Sequence, residues 1–313
     1  MNLQQALLAT EEKMLSAVAS DVPVLQEASR HIISAGGKRL RPRMMYLAYL
    51  ANGGQHLEEA VPVAAALELV HTATLVHDDI NDHGTLRRGR VTINEQWGRT
   101  FALLTGDFLF AKVYELMAPY GDLNVTFSKT AVTLVEGETL QAYAAKHDQL
   151  DRETYQQIVA KKTASLFRAS TLLGSQLAQA EPKVANAFGE YGFYVGLAFQ
   201  IIDDILDIVG DPRLTGKTTG LDLSQGKGVA SLYSSNGGNG HGTNGTTAVA
   251  EEVEADPILA LKKRMVEKGA VEEGYEMAQV LSAQALESLQ AVPQNDHTDQ
   301  LRDVVDAVVN RDH

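Results

Sequence analysis

Two groups of aspartates offer the most chemistry in this sequence. The first, Asp78, Asp79 and Asp82, lies in the stretch ELVHTATLVHDDINDHGTLRRGR from Glu68 to Arg90. Positions 78 and 82 are one helical turn apart, so a helix stacks them on one face with Asp79 beside them. Leu67, Val70 and Ala73 or Thr74 form an apolar stripe ahead of them, which argues that this face is buried. A buried carboxylate without a counter-charge costs several kcal/mol. Hard divalent cations are its natural partner, and oxygen-only clusters of this kind suit magnesium held together with substrate phosphates. Taken alone, D-D-x-x-D is equally a solvated acidic helix tip. A second copy decides between the two readings: Asp203, Asp204 and Asp207 repeat the pattern in GLAFQIIDDILD, residues 196–207, inside a still more apolar helix. Two such clusters facing each other across a cavity can share magnesium ions around a highly anionic ligand.

Cations recur nearby. In AGGKRLRP at 35–42, Gly36 and Gly37 end a helix, Lys38, Arg39 and Arg41 supply charge, and Pro42 starts the next helix. Glycines and basic residues ahead of a helix N-terminus suit a diphosphate. A helix cap followed by solvated basic residues is the plainer alternative, but three cations within four positions of so acidic a chain favour the anion site. After Gly84, which breaks the helix of the first cluster, Arg87 and Arg88 sit in a loop that reaches back over the carboxylates, and guanidinium forks bind phosphate bidentately. Lys161, Lys162 and Thr163 lie amid Ile158, Val159, Ala164, Leu166 and Phe167. Lys162 either snorkels to solvent or points into the acidic cavity. Asp107 pairs with an arginine of the site or forms an ordinary ion pair, and Trp97, the only tryptophan, reads as core.

The elements that must position these groups are helical almost throughout. Apolar residues at three and four spacing predict antiparallel helices over 3–20 and 23–34, with Asp21 as cap and Pro23 at the first position of the second. Further helices are predicted from about 57 to the first cluster, over 102–117, 124–147 (with Glu136, Glu138 and Gln141 on a partly polar face), 151–173, 183–209, 257–268, 271–291 and 297–310. Residues 210–228 form a turn-rich loop in which Lys217 and Lys227 each follow a glycine, suited to a lid over phosphate. Residues 234–247, SSNGGNGHGTNGTT, are low-complexity and predicted to be disordered, with His241 incidental.

Composition narrows the function classes. At 313 residues and 44% hydrophobic content the chain can bury a large core, and a net charge of -13 leaves no basic face for nucleic acid. There are no cysteines, hence no disulfide framework and no thiolate zinc site. The N-terminus is amphipathic and acidic, unlike a signal peptide, and no stretch reads as a transmembrane segment, so a cytoplasmic location is expected.

These motifs resemble those of the trans-isoprenyl diphosphate synthases, the polyprenyl synthetase family, from about residue 30 to the C-terminus. GGKRLRP at 36–42, HDDIND with RRG at 77–89, GETLQ at 137–141, KT at 162–163, GLAFQIIDDILD at 196–207 and GK..G.D at 216–222 occur in the family's order. The resemblance implies an all-α, single-domain bundle of roughly a dozen helices around a deep central cavity spanning residues 1–313, usually homodimeric. It implies that Asp78, Asp82 and Asp203, with Asp79, Asp204 and Asp207, hold about three Mg2+ ions on an allylic diphosphate, assisted by Arg87, Lys162, Thr163, Gln200, Lys217 and Lys227. Lys38, Arg41, His71 and Arg88 would bind isopentenyl diphosphate. Product length would depend on the floor formed by Ala73, Thr74, Val70 and Ala66, where no aromatic stands; this favours a long chain, a quinone side-chain precursor, over farnesyl or geranylgeranyl diphosphate. The chain departs from the family after Lys227, reading Gly-Val-Ala-Ser-Leu-Tyr where Thr-Leu-Pro is usual. A terpene cyclase would need no second diphosphate site, and an inactive subunit of a heteromeric synthase would have lost a cluster. Whether a small partner subunit is required stays open.

Overall fold

The computed structural model describes residues 1–147, 149, 151–209 and 269–311. Among these are twelve α-helices: α1 (Leu3–Ala17), α2 (Pro23–Ile33), α3 (Leu40–Ala51), α4 (Leu57–Asn81), α5 (Ile93–Trp97), α6 (Arg99–Met117), α7 (Asp122–His147), α8 (Arg152–Val159), α9 (Ser165–Leu177), α10 (Pro182–Val209), α11 (Ala270–Ser288) and α12 (Asp296–Val309). The all-α expectation holds. The lid loop with Lys217 and Lys227, the low-complexity stretch 234–247 and the helix predicted over 257–268 lie outside the described residues.

The bundle is organised around α4, which is apolar on every side. Ala60, Val63, Ala64, Ala65, Leu67, Leu69 and Val70 are all fully buried, each larger side chain contributing roughly 1.5–3 kcal/mol of burial. Contrary to the sequence expectation, α4 has the length and apolarity of a membrane span, with a mean hydropathy of 1.4, but 72% of that window is buried by its neighbours. It is a core helix, packed by α1, α3 and α6. The first helix therefore serves α4 more than its predicted partner α2.

A second layer is built on α10, which packs against α9 and α11. Two polar links tie the C-terminal helix region to the bundle: the Tyr191 hydroxyl of α10 donates to the Leu301 carbonyl of α12 at 2.7 Å, and Asn295 Nδ2 donates to the Ala51 carbonyl of α3 at 2.9 Å. Between the layers the helix predicted as continuous over 151–173 is interrupted. Residues Ala160–Ala164 form a π-helical segment between α8 and α9, lying against α7 and α10.

Several local details differ from expectation. Val22, not Asp21, caps α2. Helix α3 begins at Leu40, so Pro42 stands inside its first turn and Arg39 is its cap, in left-handed backbone at φ 48°. A two-residue hairpin, β1 (Leu86–Arg87) and β2 (Arg90–Val91), replaces the plain loop. Its position is set by α2: His31 Nε2 lies 2.8 Å from the Val91 carbonyl, and Arg90 donates to the His31 carbonyl and Ser34 Oγ. Trp97 is half-buried at the edge of the core, its ring edge-on to His31.

Candidate active site

The first aspartate cluster stands at the end of α4. Asp78 and Asp79 occupy its last turn, and Asp82 is the C-cap, its N–H donating to the Asp78 carbonyl at 2.8 Å. His83, in left-handed backbone at φ 53°, turns the chain; the turn was expected at Gly84. Gly84 serves a close approach instead, since a Cβ there would lie 3.0 Å from Asp79 Oδ1. Three carboxylates at the negative end of a helix dipole repel one another and the helix. The fold meets this with cations. Asp79, 3% exposed, accepts from Arg87 Nε at 2.8 Å. Burial still pushes its carboxyl up to about 6, against the pull of Arg87.

Asp78 is held by Lys162, which therefore points into the acidic cavity, not to solvent. Its ammonium reaches Asp78 Oδ1 at 2.9 Å, Glu138 Oε2 at 2.8 Å and Gln141 Oε1 at 2.9 Å, which uses all three of its protons. Burial works against its charge, yet Asp78 and Glu138 beside it hold its pKa above the ordinary lysine value. The π segment makes this aim possible: one wide turn carries Lys161 outward to Glu136 and Lys162 inward. Such turns cluster at functional sites. Glu138 is pushed up to about 8 by burial and by Asp78, with Lys162 opposing, and its Oε1 is buried without a partner. Sequence reading placed Glu138 and Gln141 on a polar face without assigning them to the site.

The second cluster has the same order and a different backing. Asp204, 7% exposed, accepts from the Tyr155 hydroxyl at 2.5 Å and from Gln200 Nε2 at 2.9 Å, while Gln200 Oε1 receives the Thr163 hydroxyl at 2.8 Å. Asp204 is thus a positioning residue for Gln200 and Thr163. Asp203 and Asp207 are half-buried one turn apart on α10. Arg311, just past α12, reaches Asp203 Oδ1 at 3.3 Å and lies 5.0 Å over the Phe199 ring. No periodicity in the sequence singled out Arg311 or Tyr155.

The GGKRLRP segment divides in two. Arg39 turns inward, its guanidinium 2.8 Å from Glu11 and 2.9 Å from the buried Glu68, and so is structural. Lys38 is exposed, and burial of its stem and the nearby Arg311 lower its pKa against the pull of Asp203. Arg41 lies 4.5 Å over the Phe167 ring, and its Nε is buried without a partner. Burial brings Arg41 down to about 10 despite Glu68, and Arg88 is lowered by burial and by Arg39 and Arg87. Arg88, at φ 51°, donates to the Gly36 carbonyl. His71, on α4 two turns before Asp78, is held well below the usual histidine range by burial and by Arg41, Arg88, Arg87 and Arg39. The result is a nest of guanidiniums around a neutral imidazole.

Beneath the first cluster lies a cavity of about 270 Å³ lined by Thr74, His77, Ile80, Asn81, Arg99, Leu103, Phe110, Val135 and Glu138. It adjoins an apolar groove of about 990 Å³ between α6 and α7. Of the expected floor only Thr74 lines this cavity. Ala73, Val70 and Ala66 are fully buried in the core, facing neighbouring helices. The family resemblance implied a floor made of all four, but α4 is packed by its neighbours, so most of its small residues meet helices. Asp107 pairs with His77, at 3.6 Å from Nε2, and not with an arginine.

The donor set fits hard divalent cations: carboxylate oxygens only, with protein cations already seated on Asp78 and Asp203. Among the described residues, no three acidic or histidine side chains converge on one point. A bound metal would take the places of Lys162 and Arg311 on these oxygens.

A family model for polyprenyl synthetases matches residues 22–235. The heptaprenyl diphosphate synthase component 2 of Geobacillus stearothermophilus is 37% identical over 99% of this chain and 97% of its own length. The geranylgeranyl diphosphate synthase of Saccharolobus solfataricus is 34% identical over 90% of this chain and 88% of its own. Among solved structures, the polyprenyl synthase from Caulobacter crescentus CB15, complexed with calcium and isoprenyl diphosphate, superposes with a TM-score of 0.87 at 30% identity, over 99% of this chain and 96% of that one.

Proposed function

The chain belongs to the polyprenyl synthetase family, and from that premise we propose that it joins isopentenyl diphosphate head-to-tail to an allylic diphosphate, magnesium-dependently, giving a long all-trans polyprenyl diphosphate. The observation that carries this reading is the pairing on α4 of the guanidinium nest around His71 with the carboxylates at 78, 79 and 82. One binds a diphosphate by charge, the other through metal.

In this reading Asp78, Asp82, Asp203 and Asp207 hold about three magnesium ions on the allylic diphosphate. Asp79 and Asp204 keep Arg87 and Gln200 in place. When bound, the metal neutralises charge on the departing diphosphate. Lys162, released from Asp78, and Arg87 meet the same diphosphate, and Lys217 and Lys227 are assigned to it as well. Arg41, Arg88, Lys38 and neutral His71 bind isopentenyl diphosphate; Arg41 Nε, buried and unpartnered, suits an incoming oxygen. The Thr163 and Gln200 dipoles stabilise the allylic cation, and the apolar cavity below keeps water from it. The isopentenyl double bond attacks the cation, and the proton lost afterwards goes to the released diphosphate.

The likeness to a heptaprenyl synthase component supports a long product. We read residues 1–313 as one cytoplasmic domain. A second copy of the chain covers the apolar faces of α6 and α7, where Phe101, Leu104, Val125 and Val132 are exposed.

Purified protein with magnesium, labelled isopentenyl diphosphate and farnesyl diphosphate should give a ladder running past geranylgeranyl. Arrest at geranylgeranyl keeps the chemistry and overturns the long product. The name "component 2" favours one second reading, a catalytic subunit that needs a small partner. No elongation by the chain alone, restored by a second component, would establish it.

A further inference from the structure

Glu68 is a buried carboxylate that the prenyl transfer leaves without a task. It is 3% exposed and stands on α4 one turn before His71, on the same face. Its Oε2 accepts from Arg39 Nη1 at 2.9 Å. Arg39, itself 8% exposed, uses its other two nitrogens as well: Nε donates to Glu11 Oε1 at 2.8 Å and Nη2 to the Ile33 carbonyl at 3.3 Å. One guanidinium therefore ties α4 to α1 and to the end of α2, which a rigid fork can do and a compact ammonium cannot.

The tie bears on the diphosphate because of where Arg39 stands. It separates Lys38 from the start of α3, in left-handed backbone at φ 48° and ψ 37°, a conformation that residues with a Cβ adopt only at a cost. Its side-chain bonds hold the chain there, and so fix where Lys38 leaves the loop and where Arg41 enters the nest. The hairpin holds the same loop a second time: Arg88 donates to the Gly36 carbonyl and packs on Gly37, where a Cβ would lie 3.0 Å from its Nη1. Glu68 also acts on the nest through its charge. Burial lowers Arg41 and Arg88, the guanidiniums repel one another, and Glu68 is the foremost charge opposing this at both. We infer that Glu68 is a positioning residue of the isopentenyl diphosphate site: through Arg39 it fixes the loop that carries Lys38 and Arg41, and by its charge it keeps Arg41 and Arg88 gathered around His71 before the diphosphate arrives. This rests on the reading above that the nest binds that diphosphate. It also has a sign. A carboxylate that merely repelled the ligand would, once removed, leave tighter binding; one that holds the cations in place leaves looser binding. Arg39 neutralises Glu68 at 2.9 Å, so repulsion is the smaller effect and loss of the anchor the larger.

The test compares the two substrates. Isopentenyl diphosphate is titrated into the full-length protein by calorimetry, and KM is measured for it and for farnesyl diphosphate with magnesium. Glu68→Gln keeps the shape and removes the charge; it should weaken isopentenyl diphosphate binding and raise its KM by about 10-fold or more. KM for farnesyl diphosphate and kcat should stay within about 2-fold of the unmodified protein. Arg39→Lys, which keeps the charge and loses the fork, should do the same. Glu11→Gln loosens the fork from α1 at a side chain 40% exposed, so it tests the role even where the buried variants fail to fold, as judged by thermal melting. It should raise KM for isopentenyl diphosphate alone, by about 5-fold. In any folded variant of the three, isopentenyl diphosphate binding that is unchanged or tighter overturns the positioning role. An equal rise in both KM values overturns it too, because a general loosening of the bundle would affect both substrates. Unmodified protein that binds no isopentenyl diphosphate overturns the assignment of the nest itself, and the role of Glu68 with it.

Discussion

The two aspartate clusters are near copies in sequence and are supported in opposite ways. At the end of α4 the inner carboxylate, Asp79, is answered by a full charge, the guanidinium of Arg87 brought in by the hairpin. Among the described residues, the inner carboxylate at the end of α10, Asp204, is met by two neutral donors, Tyr155 and Gln200, and Gln200 also receives the Thr163 hydroxyl. In both, the outward-facing carboxylate carries a protein cation, Lys162 on Asp78 and Arg311 on Asp203. Among the described residues, the same D-D-x-x-D therefore becomes an electrostatic clamp in one place and a hydrogen-bonded relay in the other. A guanidinium fork fixes direction and charge together, while neutral donors fix direction alone.

This difference can be broken by experiment. The largest expected effect is on the outward carboxylates: Asp78→Ala and Asp203→Ala should each lower kcat/KM by about a thousandfold or more, the scale of removing a major electrostatic stabiliser. If one of them retained near-normal activity, the clusters would not be functional equivalents. Next come the inner partners. Arg87→Ala strands a buried carboxylate and should cost about 3 kcal/mol of stability in chemical denaturation, near the lower end for a broken buried pair. Tyr155→Phe leaves Asp204 one neutral donor short and should cost roughly 1–2 kcal/mol. Equal losses in the two variants would erase the distinction between clamp and relay.

The smallest effect is a pH dependence of the metal-free protein. Asp79 at about 6 and Glu138 at about 8 both hold their protons more tightly in the folded chain than a free carboxyl does. Their contribution therefore favours the folded state at low pH and is lost as pH rises, from the ordinary carboxylate range through about 8. Melting in chelator should show Tm falling between pH 5 and pH 8.5. Glu138→Gln should flatten the upper part of that fall, and a divalent cation should reverse it by binding the folded state. A flat profile in chelator would mean that Lys162 and Arg87 already compensate the carboxylates in full.

Much of this was legible beforehand. The period of the apolar residues gives the helices, and the D-D-x-x-D repeats with GGKRLRP give the groups that meet at the site. What the sequence hid was direction. Arg39 and Arg41 are two residues apart in one basic run, but a left-handed cap turns Arg39 into an ion pair with Glu11 and Glu68 and leaves Arg41 to the nest. Ala73 and Thr74 are adjacent, and only Thr74 reaches the cavity, because α4 is surrounded and its faces are divided among neighbours. Arg311 meets Asp203 across 108 positions of chain, a distance over which local periodicity carries no information.

The π segment at Ala160–Ala164 has a consequence in the terms of insertion and deletion. A π turn is equivalent to one residue added to an α-helix, so α8 and α9 are joined with one residue to spare. Removing a single codon there would restore a continuous helix and keep both flanks packed, while taking Lys162 away from Asp78. Anywhere else in these two helices the same deletion would rotate every following side chain by about a quarter turn. The lysine that steadies the first cluster thus stands at the one point of the two helices where the chain could lose a residue and remain folded.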